Sequence, residues 1–195
     1  MGCTSSLRLS KISVSRGRQN FGGNSSELKT TIITTDPKVT IHTPDDIAAL
    51  VKESWRRLSG DIPGNGLQVF LRIFETCPRT KKLFQVDNVR LSELARNVTI
   101  QRHGKRFMLA IGAAVENIDG IDEKDSELSK LLIVLGRQHK HYEGFKPEYF
   151  EVFYDALMWQ WERYLGNEFT PEVADTWSRV FVYFMEKLKE GYRQP

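Results

Sequence analysis

The chain has 195 residues, of which 40% are hydrophobic and 27% are charged. This length suits one ordinary domain with a tail, and this composition excludes a wholly disordered chain and an integral membrane protein. The formal net charge of +3 is unevenly divided, because residues 1–42 carry six basic and two acidic side chains and residues 43–195 sum to −1. A basic tail on a nearly neutral body argues against a nucleic-acid-binding protein.

The first 42 residues have the composition of a disordered tail. They contain thirteen Ser and Thr and a single aromatic residue, Phe21. Such a segment buries too little apolar surface to offset the entropy that it would lose on folding. The sequence therefore predicts two parts, a disordered basic tail over 1–42 and a folded domain over 43–195.

The N-terminus carries an acylation pattern. Met1-Gly2-Cys3-Thr4-Ser5-Ser6 matches the N-myristoylation signature, with Gly2 as the acceptor after removal of Met1, and Cys3 lies where palmitoylation is usual. One acyl chain binds a membrane only marginally, but Cys3 and the cations of the tail supply further attraction to an anionic leaflet. The expectation is a lipid anchor to the cytoplasmic face of the plasma membrane. The alternative is a chance Met-Gly start on a free tail of a cytosolic protein.

The first part of the body has the spacing of two amphipathic helices. Apolar residues recur every three or four positions over 44–58, where Thr43 is suited to the N-cap and Pro44 to the first turn. The same spacing predicts a second helix over 63–76, which Cys77-Pro78 ends.

Helical spacing continues to the end of the chain. It predicts a long helix over 92–117, a helix opened by Pro147 and a last helix capped by Thr170. Between them lies a helix whose apolar stripe consists of Leu128, Leu131, Leu132, Leu135 and His139. No segment alternates in the manner of a strand, so the sequence predicts an all-α domain of six to eight helices.

Two histidines continue apolar faces. His103 lies between Ile100 and Phe107, and His139 follows Leu135 by four residues. An imidazole that faces a core needs a hydrogen-bond partner or a metal. From spacing alone, core histidines with satisfied hydrogen bonds and ligands of a metal or of a flat apolar cofactor both remain open.

Six groups of residues, in order and at compatible spacing, carry a resemblance over nearly all of 44–192. They are Ser54-Trp55-Arg56, Phe70 with Phe74, Pro78 with Phe84, His103-Gly104-Lys105-Arg106, Leu135-Gly136-Arg137-Gln138-His139, and Phe169-Thr170-Pro171 with Trp177-Ser178. In these residues the chain resembles the globin family, most closely its neuroglobin and globin X branch. The resemblance implies the globin fold and a haem b (iron protoporphyrin IX) cofactor.

The resemblance also implies roles for the residues that match. His139 is similar to the proximal iron ligand and His103 to the distal histidine. Phe84 matches the phenylalanine stacked on the porphyrin, and Phe70 matches the aromatic residue of the distal pocket. Phe107 stands over the iron where most globins have a small aliphatic residue, which implies crowding of any added ligand.

Three further residues have a cofactor role by resemblance or position. Arg106 matches a basic residue that reaches a haem propionate, and a solvated surface cation is the alternative. Phe150 and Phe153 are predicted to line the floor of the pocket, with core packing as the equal alternative.

The resemblance implies an activity in one-electron redox signalling or in O₂, NO and nitrite chemistry, with an unidentified redox partner. Relatives in this branch are typically bis-histidyl, so six-coordinate iron is expected. No dedicated catalytic residue is predicted, although weak nitrite reductase, NO dioxygenase or superoxide activity is compatible with such a haem. The alternatives are a five-coordinate O₂ binding or transport protein and a haemless sensor or interaction module.

Overall fold

The computed structural model describes residues 43–121, 123 and 125–195. Within these residues the chain forms seven α-helices joined by loops and short 3₁₀ segments, and no strand, which confirms the all-α prediction. The helices are α1 (Pro44–Leu58), α2 (Ile62–Thr76), α3 (Leu91–Leu94), α4 (Val98–Glu116), α5 (Glu127–His139), α6 (Tyr149–Leu165) and α7 (Pro171–Arg193). None of these helices is both long and apolar enough to span a bilayer. Gly2, Cys3 and the predicted tail lie outside the described residues.

The predicted caps of the first and last helices are confirmed. The Thr43 side chain accepts a hydrogen bond from the backbone of Asp46, and the Asp46 carboxylate accepts one from the backbone of Thr43, which forms a capping box. Thr170 accepts a hydrogen bond from the backbone N–H of Val173 at the start of α7. Both caps satisfy backbone donors that a helix N-terminus leaves without partners.

The long helix predicted over 92–117 is wrong in its first turns. The structure has a single turn, α3, and then a new helix that begins at Val98. The break occurs at Asn97, whose side chain accepts hydrogen bonds from the backbone N–H groups of Thr99 and Ile100. Asparagine is among the strongest N-cap residues, so this local bond competes successfully with continuation of the helix.

Two helix crossings bring backbone against backbone. α2 crosses α4 at Gly66 and Gly104, where an added Cβ on Gly104 would lie 2.7 Å from the carbonyl carbon of Gly66. α5 crosses α7 in the same manner, because a Cβ on Gly136 would meet the backbone carbonyl of Leu188 and one on Gly191 would meet that of Ile133. These close approaches fix α4 and α5, which carry the two inward histidines.

The core between α1, α2, α6 and α7 contains buried polar bonds as well as aromatic rings. The fully buried Trp161 and Trp177 pack edge to face with ring centroids 5.6 Å apart. The indole N–H of Trp177 donates to the Ser54 hydroxyl at 2.8 Å. The Gln160 amide donates to the Asn65 side chain at 2.7 Å. These bonds fix how the helices that surround the site pack together.

Candidate functional site

A cavity of about 390 Å³ opens between the Pro78–Phe84 3₁₀ segment, α4 and the end of α5. Its lining combines apolar and aromatic side chains with two imidazoles and one guanidinium: Ile73, Thr80, Leu83, Phe84, Gln85, Thr99, His103, Arg106, His139, Tyr142, Phe145 and Phe153. A deeper cavity of about 80 Å³ shares His103, His139 and Phe153 with it and has an almost wholly apolar lining. The first volume lies in the range of small-molecule and cofactor sites.

His139, the last residue of α5, enters the cavity with one ring nitrogen already used. Its Nδ1 lies 2.7 Å from the carbonyl oxygen of Leu135, one turn earlier. A carbonyl only accepts, so Nδ1 carries the proton and the Nε2 lone pair is available. Burial lowers the pKa of His139 although the bond to Leu135 opposes this shift. The neutral tautomer with a free Nε2 is the form in which an imidazole binds a metal.

His103 enters the same cavity from α4. Its ring stands edge to face against Phe70 and Phe84, with centroids 4.8 and 4.9 Å away. Burial, followed by the positive charge of Arg106 and the presence of His139, lowers the pKa of His103 from 6.5 to about 4. Both imidazoles are therefore neutral near pH 7.

The predicted aromatic residues form one cluster around His103. Phe70 is fully buried and does not itself line the cavity. It holds the wall from behind, since its ring centroid lies 5.5 Å from that of Phe84 and 5.6 Å from those of Phe107 and Phe153. Phe107 and Phe153 line the deeper cavity.

Phe150 packs against the other histidine. Its ring centroid lies 5.2 Å from that of His139, and it lines the deeper cavity. The ring centroid of Phe145 lies closer to that of His139, at 4.9 Å, and the sequence did not predict Phe145 as a site residue. The ring centroid of Tyr142 lies 5.9 Å from that of His139. Both follow His139 in a loop, so no periodicity indicated them, although a cluster of aromatic residues after an inward histidine is a usable signal.

Arg106 is exposed at the mouth of the cavity. One of its guanidinium nitrogens lies 3.4 Å from Nδ1 of His103. Among the described residues, it is the only cation that lines the cavity. The site thus combines an apolar interior, two neutral imidazoles and one positive charge.

Comparisons with known proteins agree with this architecture. The pattern that defines the globin family matches residues 67–188. Cytoglobin-2 of Danio rerio is 26% identical over 147 residues, which cover 74% of this chain and 80% of that protein. Hemoglobin subunit alpha-D of Turdus merula is 33% identical over 144 residues, which cover 73% and 94%. A crystal structure of a hexacoordinated heme protein from an anhydrobiotic tardigrade superposes with a TM-score of 0.71 at 26% identity and covers 78% of this chain and 96% of that one.

The residues of the cavity fit a haem. The porphyrin is flat and apolar, which suits a cavity lined by aromatic side chains. Its propionates are anionic, which suits the exposed guanidinium of Arg106 at the mouth. The free Nε2 of His139 is suited to hold the iron, since a proximal imidazole is a common haem anchor. With the family pattern covering more than half of the chain and two histidines in its cavity, the protein belongs to the globin family and its cofactor is haem b.

Proposed function

We propose that this protein is a bis-histidyl, six-coordinate globin in which His139 and His103 hold the iron from opposite sides. The observation that carries the proposal is that both imidazoles line the same two cavities and both are neutral near pH 7. Each therefore has a lone pair for a metal without the cost of losing a proton. The tardigrade protein with the similar fold supports this proposal because its iron is hexacoordinated.

Phe107 supports the same proposal because its ring leaves little space for an external ligand beside His103. Its ring lies 5.6 Å from that of Phe70 and 5.5 Å from that of Phe153, and the cavity that Phe107 and Phe153 line with His103 has a volume of only about 80 Å³. A crowded apolar wall disfavours a bulky external ligand more than an imidazole that is already in place.

One contact favours a second candidate, a five-coordinate O₂ binding protein. A guanidinium only donates hydrogen bonds, so at 3.4 Å Arg106 is a donor to Nδ1 of His103. The ring proton of His103 would then reside on Nε2, where it suits a hydrogen bond to a ligand better than coordination of iron. Engagement of Arg106 by a propionate would remove this constraint on His103.

An absorption spectrum of the deoxygenated ferrous protein separates the two candidates. Six-coordinate iron gives sharp, split visible bands, and we expect His103→Ala to convert them to the single broad band of five-coordinate iron. His139→Ala should abolish retention of haemin after desalting. A broad band in the unmodified protein, or no spectral change in His103→Ala, would refute bis-histidyl ligation.

The chemistry that follows is one-electron redox or small-molecule chemistry. Globins bind O₂ and other diatomic ligands, and a haem supplies an iron that cycles between the ferrous and ferric states. Two neutral imidazoles that remain in place during this cycle favour electron transfer, redox signalling, or slow reactions with O₂, NO and nitrite over bulk storage of O₂.

We also propose that the protein is tethered to the cytoplasmic face of the plasma membrane through acylation of Gly2 and Cys3. The support is the sequence pattern at the N-terminus together with the excess of four positive charges in residues 1–42. The test is fractionation of cells that express the unmodified chain or Gly2→Ala. The membranes are washed at high salt, which releases proteins held by charge alone. A membrane fraction of Gly2→Ala that equals that of the unmodified chain after this wash would refute the anchor.

A further inference from the structure

The nearly neutral body of the protein conceals a strong separation of charge. Residues 78–109 contain eight basic and two acidic side chains, a net charge of +6, whereas the rest of residues 43–195 sum to −7. The basic stretch runs from the 3₁₀ segment through α3 and over the first twelve residues of α4. A single-sign concentration of this size over 32 residues creates a local field that attracts anions and anionic surfaces.

The cations of this stretch are mostly free of acidic neighbours. Of the eight, only Arg90 forms an ion pair with a carboxylate among the described residues. Arg79, Lys82, Arg102 and Lys105 are exposed and have no ion pair there. Elsewhere on the body, cations commonly have acidic partners, as in the pairs Lys52 with Asp119, Arg57 with Glu168 and Lys189 with Glu151. The charge of the basic stretch is therefore available to a partner.

The outer side of α4 adds exposed aliphatic side chains to these cations. Val98, Arg102, Lys105 and Leu109 follow one another at helical spacing and share one face. Val98 is 56% exposed and Leu109 is 51% exposed, among the most exposed large apolar residues of the described chain. A helix face of basic and aliphatic residues, with stems that reach apolar material while the charges stay in water, is typical of helices that lie on anionic membranes.

This face adjoins the mouth of the cofactor cavity. Thr99 and Arg106, which line the mouth, lie on α4 one turn or less from Arg102. Thr80 and Gln85 of the same basic stretch line the same cavity. Whatever docks on this face therefore lies beside the opening.

We propose that Val98, Arg102, Lys105 and Leu109, with the basic stretch around them, form a docking face for an anionic membrane and turn the cavity mouth toward the lipid headgroups. This inference rests on the proposed function, because the proposed location at the plasma membrane places the protein next to an anionic lipid surface. Charge complementarity defines an anionic partner, and the aliphatic residues among the cations favour a lipid surface over an acidic protein. The basic tail and the acylation pattern bring such a surface within reach.

The test measures binding of the haem-loaded full chain to large unilamellar vesicles. Gly2→Ala is present in every protein, so no acyl chain contributes and the result does not depend on the anchor. Vesicles of phosphatidylcholine alone are compared with vesicles that contain about a third phosphatidylserine, by co-sedimentation at low and at physiological salt. Each cation near such a surface changes the partition coefficient about fivefold.

Arg102→Gln with Lys105→Gln should therefore weaken binding to the phosphatidylserine vesicles about 30-fold. Leu109→Ser should weaken it severalfold. The matched control removes two other exposed cations, with Lys146→Gln and Arg193→Gln, and should change binding by about twofold or less. The Soret band of every variant checks that the haem pocket is intact.

Three results would overturn the proposal. The first is equal binding of the parent protein to both kinds of vesicle. The second is an equal loss in the α4 pair and in the control pair, which would assign the attraction to total charge. The third is full vesicle binding by the α4 pair, which would leave an acidic protein as the partner of this face. In each case the fractionation of Gly2→Ala still decides the acyl anchor by itself.

Discussion

Gly104→Ala should destabilise the protein although alanine is the better helix former. A Cβ at position 104 would lie 2.7 Å from the carbonyl carbon and 2.8 Å from the oxygen of Gly66, and 2.9 Å from the backbone nitrogen of Leu67. All three atoms belong to the backbone of α2, so no side-chain rotation relieves the contact. The two helices must separate by several tenths of an ångström or more.

Two opposing effects set the magnitude. Alanine in place of glycine within a helix contributes about 1 kcal/mol of stability. Overpacking of a close-packed interior costs about 1–3 kcal/mol, and contacts with rigid backbone belong at or above the upper end of that range. We expect a net loss of about 2 kcal/mol in the free energy of unfolding.

Gly112→Ala is the matched control on the same helix. Its Cβ would meet the Trp55 ring at 3.1 Å, and this ring is the end of a side chain that is able to shift. The gain in helix propensity is the same as at position 104. Gly112→Ala should therefore leave the free energy of unfolding unchanged to within about 0.5 kcal/mol or raise it slightly.

The assay is urea unfolding followed by far-ultraviolet circular dichroism. With a denaturant dependence of about 2 kcal/mol per molar, Gly104→Ala should lower the unfolding midpoint by about 1 M. It should also weaken retention of haemin, because His103 precedes the crossing on α4. Equal midpoints for Gly104→Ala and Gly112→Ala would refute the argument that a backbone contact at this crossing positions the helix.

Further predictions concern single bonds and the histidine pair. Ser54→Ala leaves the buried indole N–H of Trp177 without its acceptor and should cost about 1–3 kcal/mol in thermal or urea unfolding, whereas a loss below about 0.5 kcal/mol would show that another acceptor takes over. In the haem-free chain, the folded-state pKa of His103, about 4, lies below 6.5, so the unfolded state takes up the proton first. The contribution of His103 to the free energy of unfolding should be fully present above pH 6.5 and should be lost as the pH falls toward 4. His103→Leu should make the free energy of unfolding depend less steeply on pH in this range, and an unchanged dependence would contradict the lowered pKa of His103. Phe107→Val opens space beside His103 and should speed association of carbon monoxide in flash photolysis, and an unchanged rate would show that the ring does not limit access. Thr43→Ala removes the capping box of α1 and should cost about 1 kcal/mol, visible as a lower midpoint on urea unfolding.

Local patterns were sufficient for most of the fold. The predicted helix over 44–58 agrees with α1, and the predicted helix over 63–76 agrees with α2 except at its first residue. Proline, threonine caps and three- to four-residue spacing act within one or two turns, so the sequence displays them directly. The break at Asn97 was missed because the apolar spacing continues through it, while the cap depends on one side-chain bond.

Spacing was less reliable for deciding which stripe residues are buried. Leu131 was placed on the apolar stripe of its helix, yet it is 37% exposed, whereas Leu128 is fully buried on the same helix. Burial of a position at the edge of a stripe depends on the width of the neighbouring helix surface, which a single helix does not reveal. Phe70, which the resemblance matched to the aromatic residue of the distal pocket, lies behind the wall of both cavities, because the packing of the helices decides which aromatic rings reach a cavity.

The sequence by itself determined that the chain is helical, that His103 and His139 continue apolar faces, and which family pattern they complete. These properties are periodic or motif-based and need no knowledge of which helices touch. Only the tertiary structure decided that the two imidazoles share one cavity, since this depends on the glycine crossings of α2 with α4 and of α5 with α7. It also decided that this basic stretch of the sequence borders the cavity, since Thr80, Gln85, Thr99 and Arg106 line it.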